Sequence, residues 1–148
     1  MFTLSPQTHT LVVRRFGLIM RYSSLFYWCL LSLGLLTSNP SAAIQRSGFL
    51  QQTYHTVQPA VHFLGFMLLT CLVMAGTWSV SRRVLLISIA VYAGLTELLQ
   101  GLIPSRTPEW ADFWQDLAGM AVGLAIWWIA CRATRLLLRA APGGSPAA

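Results

Sequence analysis

The sequence predicts an all-α integral membrane protein, a bundle of four transmembrane helices. Three observations predict it. Of the 148 residues, 55% are hydrophobic and only 9% are charged, where a soluble domain carries about 25% charged residues. Mean hydropathy is +0.61. The apolar residues gather into four stretches, 22–36, 61–80, 84–103 and 113–130, of which the last three approach the roughly 20 residues a spanning helix needs. Finally, the arginines border these stretches and do not form one basic stripe.

The elements follow in order. Arg14, Arg15 and Arg21 precede the first stretch, Tyr22–Leu36, which Ile19 and Met20 can extend. Its basic flanks, short apolar core and small residues Ser41 and Ala43 also fit a signal peptide, the alternative to a retained span. Residues 38–60, rich in Ser, Gln and Thr, read as the longer external loop. His62 opens the second stretch, Val61–Val80. Arg82 and Arg83 fill a tight connection to the third, Val84–Ile103. Pro104-Ser-Arg106-Thr-Pro108 lies in the connection to the fourth, Phe113–Ala130, and Arg132, Arg135 and Arg139 follow it.

Eight arginines therefore border one side, and only Arg46 and Arg106 border the other. Cytoplasmic loops are enriched in Arg and Lys, so both termini and the middle connection are expected in the cytoplasm. Trp127 and Trp128 suit the inner aromatic belt, and Trp110 and Trp114 the outer one. The expected organisation is a cytoplasmic tail over 1–20, a membrane domain over 21–132 and a basic, flexible cytoplasmic tail over 133–148. A net charge of +6 can signal nucleic-acid binding, but dispersed arginines argue for topology, and no nucleic-acid partner is expected. Cys29, Cys71 and Cys131 form no Cys-x-x-Cys or Cys/His cluster and read as small apolar residues.

All four acidic residues fall between Glu97 and Asp116. Carboxylates are expensive near hydrocarbon, so their concentration marks the expected functional centre. On a helix, Asp112, Asp116, Gly119 and Gly123 share one narrow face, and Ala90, Gly94, Glu97 and Gly101 share another with the same spacing. Small residues let helices approach closely in lipid, and a short connection makes spans three and four antiparallel neighbours. Gly94, Gly101, Gly119 and Gly123 are accordingly expected to pack these two spans together. In that register Glu97 and Asp116 meet at similar depth and need a shared proton, a cation or Arg106. Arg106 can fork onto a carboxylate or an anionic ligand; His62 and Gln100 converge on the same side. The bland alternatives are helix packing for the glycines, a cap for Asp112, an interfacial histidine for His62 and solvated loop groups for Glu109, His9 and His55.

The residues Glu97, Gln100, Arg106, Asp112, Asp116, Gly119 and Gly123, with the His62-Phe63 pair, resemble the pattern of the VanZ-like family, small membrane proteins named for a teicoplanin-resistance protein. The resemblance covers roughly residues 20–132. It departs at Gln58 and Pro59, where the family often has Asp-Lys, and at Asp116, where it usually has Asn. It implies a cell-envelope protein of the bacterial inner membrane associated with glycopeptide tolerance, and no defined reaction.

The expected function is that of a VanZ-like envelope protein. It would offer an outer-facing polar cup to membrane lipids, a lipid-linked wall precursor or a glycan headgroup. His62, Gln100 and Arg106 would serve as ligand-binding groups. The alternatives are an intramembrane enzyme using Glu97, Arg106, Asp112 and Asp116 as catalytic groups, its carboxylates serving as acid and base or, with His62, as metal ligands, and a non-catalytic assembly subunit. No nucleophile stands among these residues except Ser105, and no cofactor and no metal are expected. Topology is directly testable. Reporter fusions after residue 148 and within 38–60 are expected on opposite sides of the membrane; the same sidedness for both contradicts the four-span reading.

Overall fold

The computed structural model describes residues 6–37, 48–103 and 109–140, with side chains over 10–36, 57–103 and 109–138. The described residues form four helices and no strand: α1 (Pro6–Thr37), α2 (Gly48–Ala75), α3 (Arg82–Gln100) and α4 (Trp110–Ala140). Each contains a segment long and apolar enough to cross a membrane: Thr10–Leu36, Val57–Ala75, Arg82–Gln100 and Trp110–Leu138. Their outer surfaces carry exposed large apolar side chains such as Phe26, Leu64, Ile87, Val91 and Ile129, as lipid contact requires.

The helices outrun the apolar stretches. α1 begins at Pro6, ahead of the expected Tyr22, and α2 begins at Gly48, inside the segment expected to be a loop. The reason is that hydropathy marks where a helix meets lipid, not where its hydrogen bonds begin. Between Phe49 and Gln58 no Gly or Pro interrupts the helix, and Pro59 lies within α2 without ending it. α3 is the shortest. Ser81 caps it, with extended backbone (φ −67°, ψ 150°) and its hydroxyl accepting from the Val84 N–H at 3.4 Å, which satisfies one of the free N–H groups of the first turn.

The core is one cluster: Leu31 and Leu35 of α1, Phe66, Leu69, Val73 and Met74 of α2, and Ile89 and Ala93 of α3. Tyr92 knits three helices at mid-depth. Its hydroxyl pairs with Ser32 Oγ at 2.8 Å. Its ring meets Trp28 edge-on at 5.1 Å and stacks with Phe66 at 5.6 Å. At the arginine-rich end, Arg82 donates to the Met74 carbonyl at 3.0 Å and lies 4.2 Å over Trp127. Arg21 lies 5.2 Å over Trp78, and Arg132 5.2 Å over Trp128. The Thr77 N–H donates to the Gly17 carbonyl at 3.1 Å, fastening α1 to the α2–α3 connection.

The closest helix pair is α2 with α4, and it corrects the expected packing of α3 on α4. A Cβ on Gly119 would collide with the carbonyl of Phe63, and one on Gly123 with the carbonyl of Met67. Partners pair in the same direction along both chains: Gln58 with Asp112, His62 with Asp116, Cys71 with Gly123. The two helices are therefore parallel. The stripe Asp112, Asp116, Gly119, Gly123 is one face as expected, but it faces α2. The buried face of α3 is also rotated from the expected one. It is Ile89, Ala93, Thr96, Glu97 and Gln100, while Gly101 is exposed and a Cβ added at Gly94 would meet only the Phe113 ring, at an ordinary 3.8 Å.

Small residues matter where backbones touch, because lipid supplies no hydrophobic drive between helices and packing must carry the association. Gly119→Leu is expected to push α2 from α4 and destabilise the bundle by about 1–3 kcal/mol or more. Gly101→Leu, at an exposed position with φ −64°, is expected to be neutral. Thermal unfolding in detergent checks the pair. Equal effects would mean that the α2–α4 contact does not hold the fold.

Candidate functional site

The polar residues of the bundle gather at the end opposite the arginine–tryptophan pairs. Four helices contribute. α2 brings Gln58 and His62, one turn apart. α4 brings Asp112 and Asp116, also one turn apart. Because α2 and α4 run parallel, the two i, i+4 pairs match rung for rung. Gln58 Nε2 donates to Asp112 Oδ2 at 2.7 Å. His62 lies between both acids, its Nδ1 3.0 Å from Asp116 Oδ1 and its Nε2 3.6 Å from Asp112 Oδ2. α3 adds Glu97 from its last turn. α1 adds a backbone carbonyl, that of Leu35, which accepts from Gln100 Nε2 at 3.2 Å.

Burial is nearly complete. Relative exposure is 3% for His62, 2% for Glu97, 3% for Gln100, 2% for Asp112 and 0% for Asp116. The expected open cup is therefore closed among the described residues. Nearby on α4, the Phe113 ring meets those of Trp110 and Trp114. In such surroundings an unpaired charge is costly and a hydrogen-bonded pair is strong.

The hydrogen bonding is uneven. Asp112 and His62 are engaged, and Asp116 is engaged through Oδ1. Both carboxylate oxygens of Glu97 and Oδ2 of Asp116 are buried without a hydrogen-bond partner. One ligand atom each from His62, Glu97 and Asp116 lies within 4.8 Å of the others. Glu97 and Asp116 thus meet as their register predicts. Three carboxylates face one imidazole, an excess of negative charge that protons or a cation must neutralise. His62, Glu97 and Asp116 are the residues placed to hold a metal ion.

The sequence model of the VanZ/LLP1 family matches residues 3–131 of this chain. The chain belongs to the VanZ/LLP1 family. No curated protein and no solved structure matches it. The match takes in α1, α2, α3 and α4 as far as residue 131, so the cluster belongs to the family domain itself and not to an appendage.

Each candidate residue has a definite place. His62, Glu97, Gln100, Asp112 and Asp116 come together. Arg106 lies outside the described residues. Asp112 is the third residue of α4, not its cap; its acid sits in the first turn, where the helix dipole favours it, and it is held by Gln58. Glu109 is exposed. His9 and His55 lie where no side chain is described. Among the glycines, Gly119 and Gly123 pack on α2, Gly94 leaves room for a Cβ in ordinary contact with Phe113, and Gly101 is exposed. Gln58 was not among the expected site residues. The signal for it was present: a polar side chain four residues before His62 repeats the spacing of Asp112 and Asp116.

The geometry separates two substitutions at one position. Asp116→Asn keeps an oxygen for His62 and is expected to change stability little. Asp116→Leu leaves the imidazole facing hydrocarbon without its partner and is expected to cost about 3–5 kcal/mol, the usual loss when one member of a buried pair is removed. Chemical unfolding in mixed micelles measures both. Equal stability for the two would show that the His62–Asp116 contact contributes nothing.

Proposed function

We propose that this VanZ/LLP1 chain is an envelope protein of the bacterial inner membrane, with both termini cytoplasmic. In this reading it receives the polar headgroup of a lipid or lipid-linked wall or glycan precursor at the outer end of its bundle. The observation that carries the reading is Glu97, a buried acid whose oxygens meet no side-chain donor and make no well-formed hydrogen bond, with the Glu109 backbone N–H beside them. A carboxylate that served only to tie helices together would use its oxygens on a neighbouring helix. Glu97 is buried beneath the helix ends around it, where Leu102, Trp110 and Trp114 are 79%, 65% and 65% exposed. Aromatic rings at such a boundary present an apolar face to acyl chains and a polar edge to headgroups. Arg106, between its two prolines, is assigned the anionic part of the headgroup, and glycopeptide tolerance is the cellular consequence this reading favours.

One observation favours a second reading, an assembly subunit whose polar residues only lock the bundle. The His62–Asp116 pair is sealed, with side chains 4% and 0% exposed. The two readings divide at Glu97. Lipids and wall precursors are profiled in cells lacking the protein and in cells complemented with Glu97→Gln at equal protein level. The headgroup reading expects the wild type to restore the profile and the variant to fail. Full restoration by the variant favours the assembly subunit.

A further inference from the structure

We propose that His62, Glu97 and Asp116 form a binding site for one divalent first-row transition ion of the Zn²⁺ class. The sequence gives no metal as its main expectation, three carboxylates and an Arg being no metal signature, and admits the carboxylates with His62 as metal ligands only within the alternative enzyme reading.

The donor set is the first argument. The three residues come from α2, α3 and α4, and one ligand atom of each lies within 4.8 Å of the others. In a tetrahedral site with bonds of about 2.1 Å, ligand atoms stand roughly 3.4 Å apart. His62 Nδ1 and Asp116 Oδ1 are already 3.0 Å apart. Only Glu97 has to move inward; its oxygens make no well-formed hydrogen bond, and the one backbone group acting on its carboxylate is the Glu109 N–H at the start of α4. One imidazole nitrogen with two carboxylates suits Zn²⁺, Mn²⁺ or Co²⁺; Mg²⁺ and Ca²⁺ prefer oxygen alone.

The unpartnered atoms are the second, independent argument. Glu97 Oε1, Glu97 Oε2 and Asp116 Oδ2 are buried and make no well-formed hydrogen bond. Buried oxygens without donors are rare because each forfeits its solvation. A cation satisfies them together and cancels the two charges. His62 binds through Nδ1 once the proton there is released.

The outer groups are the third. A metal-bound histidine generally turns its other N–H to a carboxylate, which fixes the ring and raises its basicity. His62 Nε2 faces Asp112 Oδ2 at 3.6 Å, and Gln58 holds that same oxygen at 2.7 Å. Asp112 and Gln58 are thus positioning residues for the ligand, not ligands. Gly119 and Gly123 set the ring at this height by letting α2 lie against α4. Three protein ligands leave a fourth position open. As an account of what the ion does, the proposal rests on the headgroup reading: that position takes an oxygen of the incoming headgroup.

The test uses the full chain in detergent, stripped with a chelator and titrated with Zn²⁺, and with Co²⁺ as a spectroscopic probe. The expected result is about one equivalent bound, a raised unfolding midpoint and Co²⁺ absorption bands of a nitrogen–oxygen site. Glu97→Gln and Asp116→Asn keep the side-chain shapes and are each expected to weaken binding roughly tenfold or more; Asp112→Asn is expected to fall in the roughly 10–100-fold range of outer-group losses. The joint change of His9 and His55 to Gln should leave binding intact. Binding that survives Glu97→Gln and Asp116→Asn, or that disappears with His9 and His55, overturns the proposal. So does the absence of stoichiometric uptake by the folded wild type, which leaves the site to protons. The headgroup reading fails separately, if Glu97→Gln restores the lipid profile while wild-type metal binding stands.

Discussion

Gly119 and Gly123 let α4 lie directly against the backbone of α2, and the placement of the polar residues follows from that contact. With a side chain at either position the helices would separate. Because the two helices run parallel, equal spacing on each produces matched rungs, and two pairs of polar residues a turn apart become two polar contacts. α3 then needs only one residue, Glu97, on its buried face to complete the centre. α1 contributes core side chains and the carbonyl that accepts from Gln100. The mid-depth Tyr92 contacts and, at the other end, the Arg21–Trp78 and Arg82–Trp127 contacts hold the remaining helices around this axis.

The energetic logic differs from that of a soluble core. Apolar side chains gain little by leaving lipid for protein, so close packing and polar contacts carry the association. The polar centre is strongly directional, but it is also incomplete. His62 and Asp112 are engaged; Glu97 is not. A bundle selected only for cohesion would lose nothing by replacing Glu97 with an apolar residue of similar size, and such replacements of buried charges are often neutral or stabilising. The presence of an unpaired acid at that depth is the link from packing to function. It asks for a proton, a cation or a ligand, and each connects the membrane interior to something that comes from outside the chain.

Much of this was legible in the sequence. Four apolar stretches gave four helices, and the acidic window with its glycine stripe marked the centre. Glu97 and Asp116 meet as their depths require. What was not legible was the partner of the stripe. Chain proximity favoured α3, since a short connection joins it to α4, and nothing in one sequence ranks a parallel neighbour above an antiparallel one. Gln58 shows the limit well. Its amide becomes meaningful only once α2 and α4 are known to be parallel, because only then does its spacing from His62 match that of Asp112 from Asp116. The lengths of α1 and α2 escaped for another reason: polar residues such as Gln51, Gln52 and Thr53 lower hydropathy without opposing a helix. Gln100 pairs with a backbone carbonyl, and no pattern of side chains reveals a backbone partner.

The central claim is that His62 is held among Asp112, Asp116 and Glu97 by the pairing of α2 with α4. The most direct measurement is the imidazole ¹⁵N spectrum of His62 in lipid nanodiscs, with His9 and His55 changed to Gln so that it is the sole reporter. The four acidic residues are few enough to neutralise one at a time. The account predicts the largest shift for Asp116→Asn, clear shifts for Asp112→Asn and Glu97→Gln, and none for Glu109→Gln, whose side chain is exposed. A His62 signal unmoved by Asp116→Asn and Glu97→Gln, or moved as far by Glu109→Gln, would contradict it.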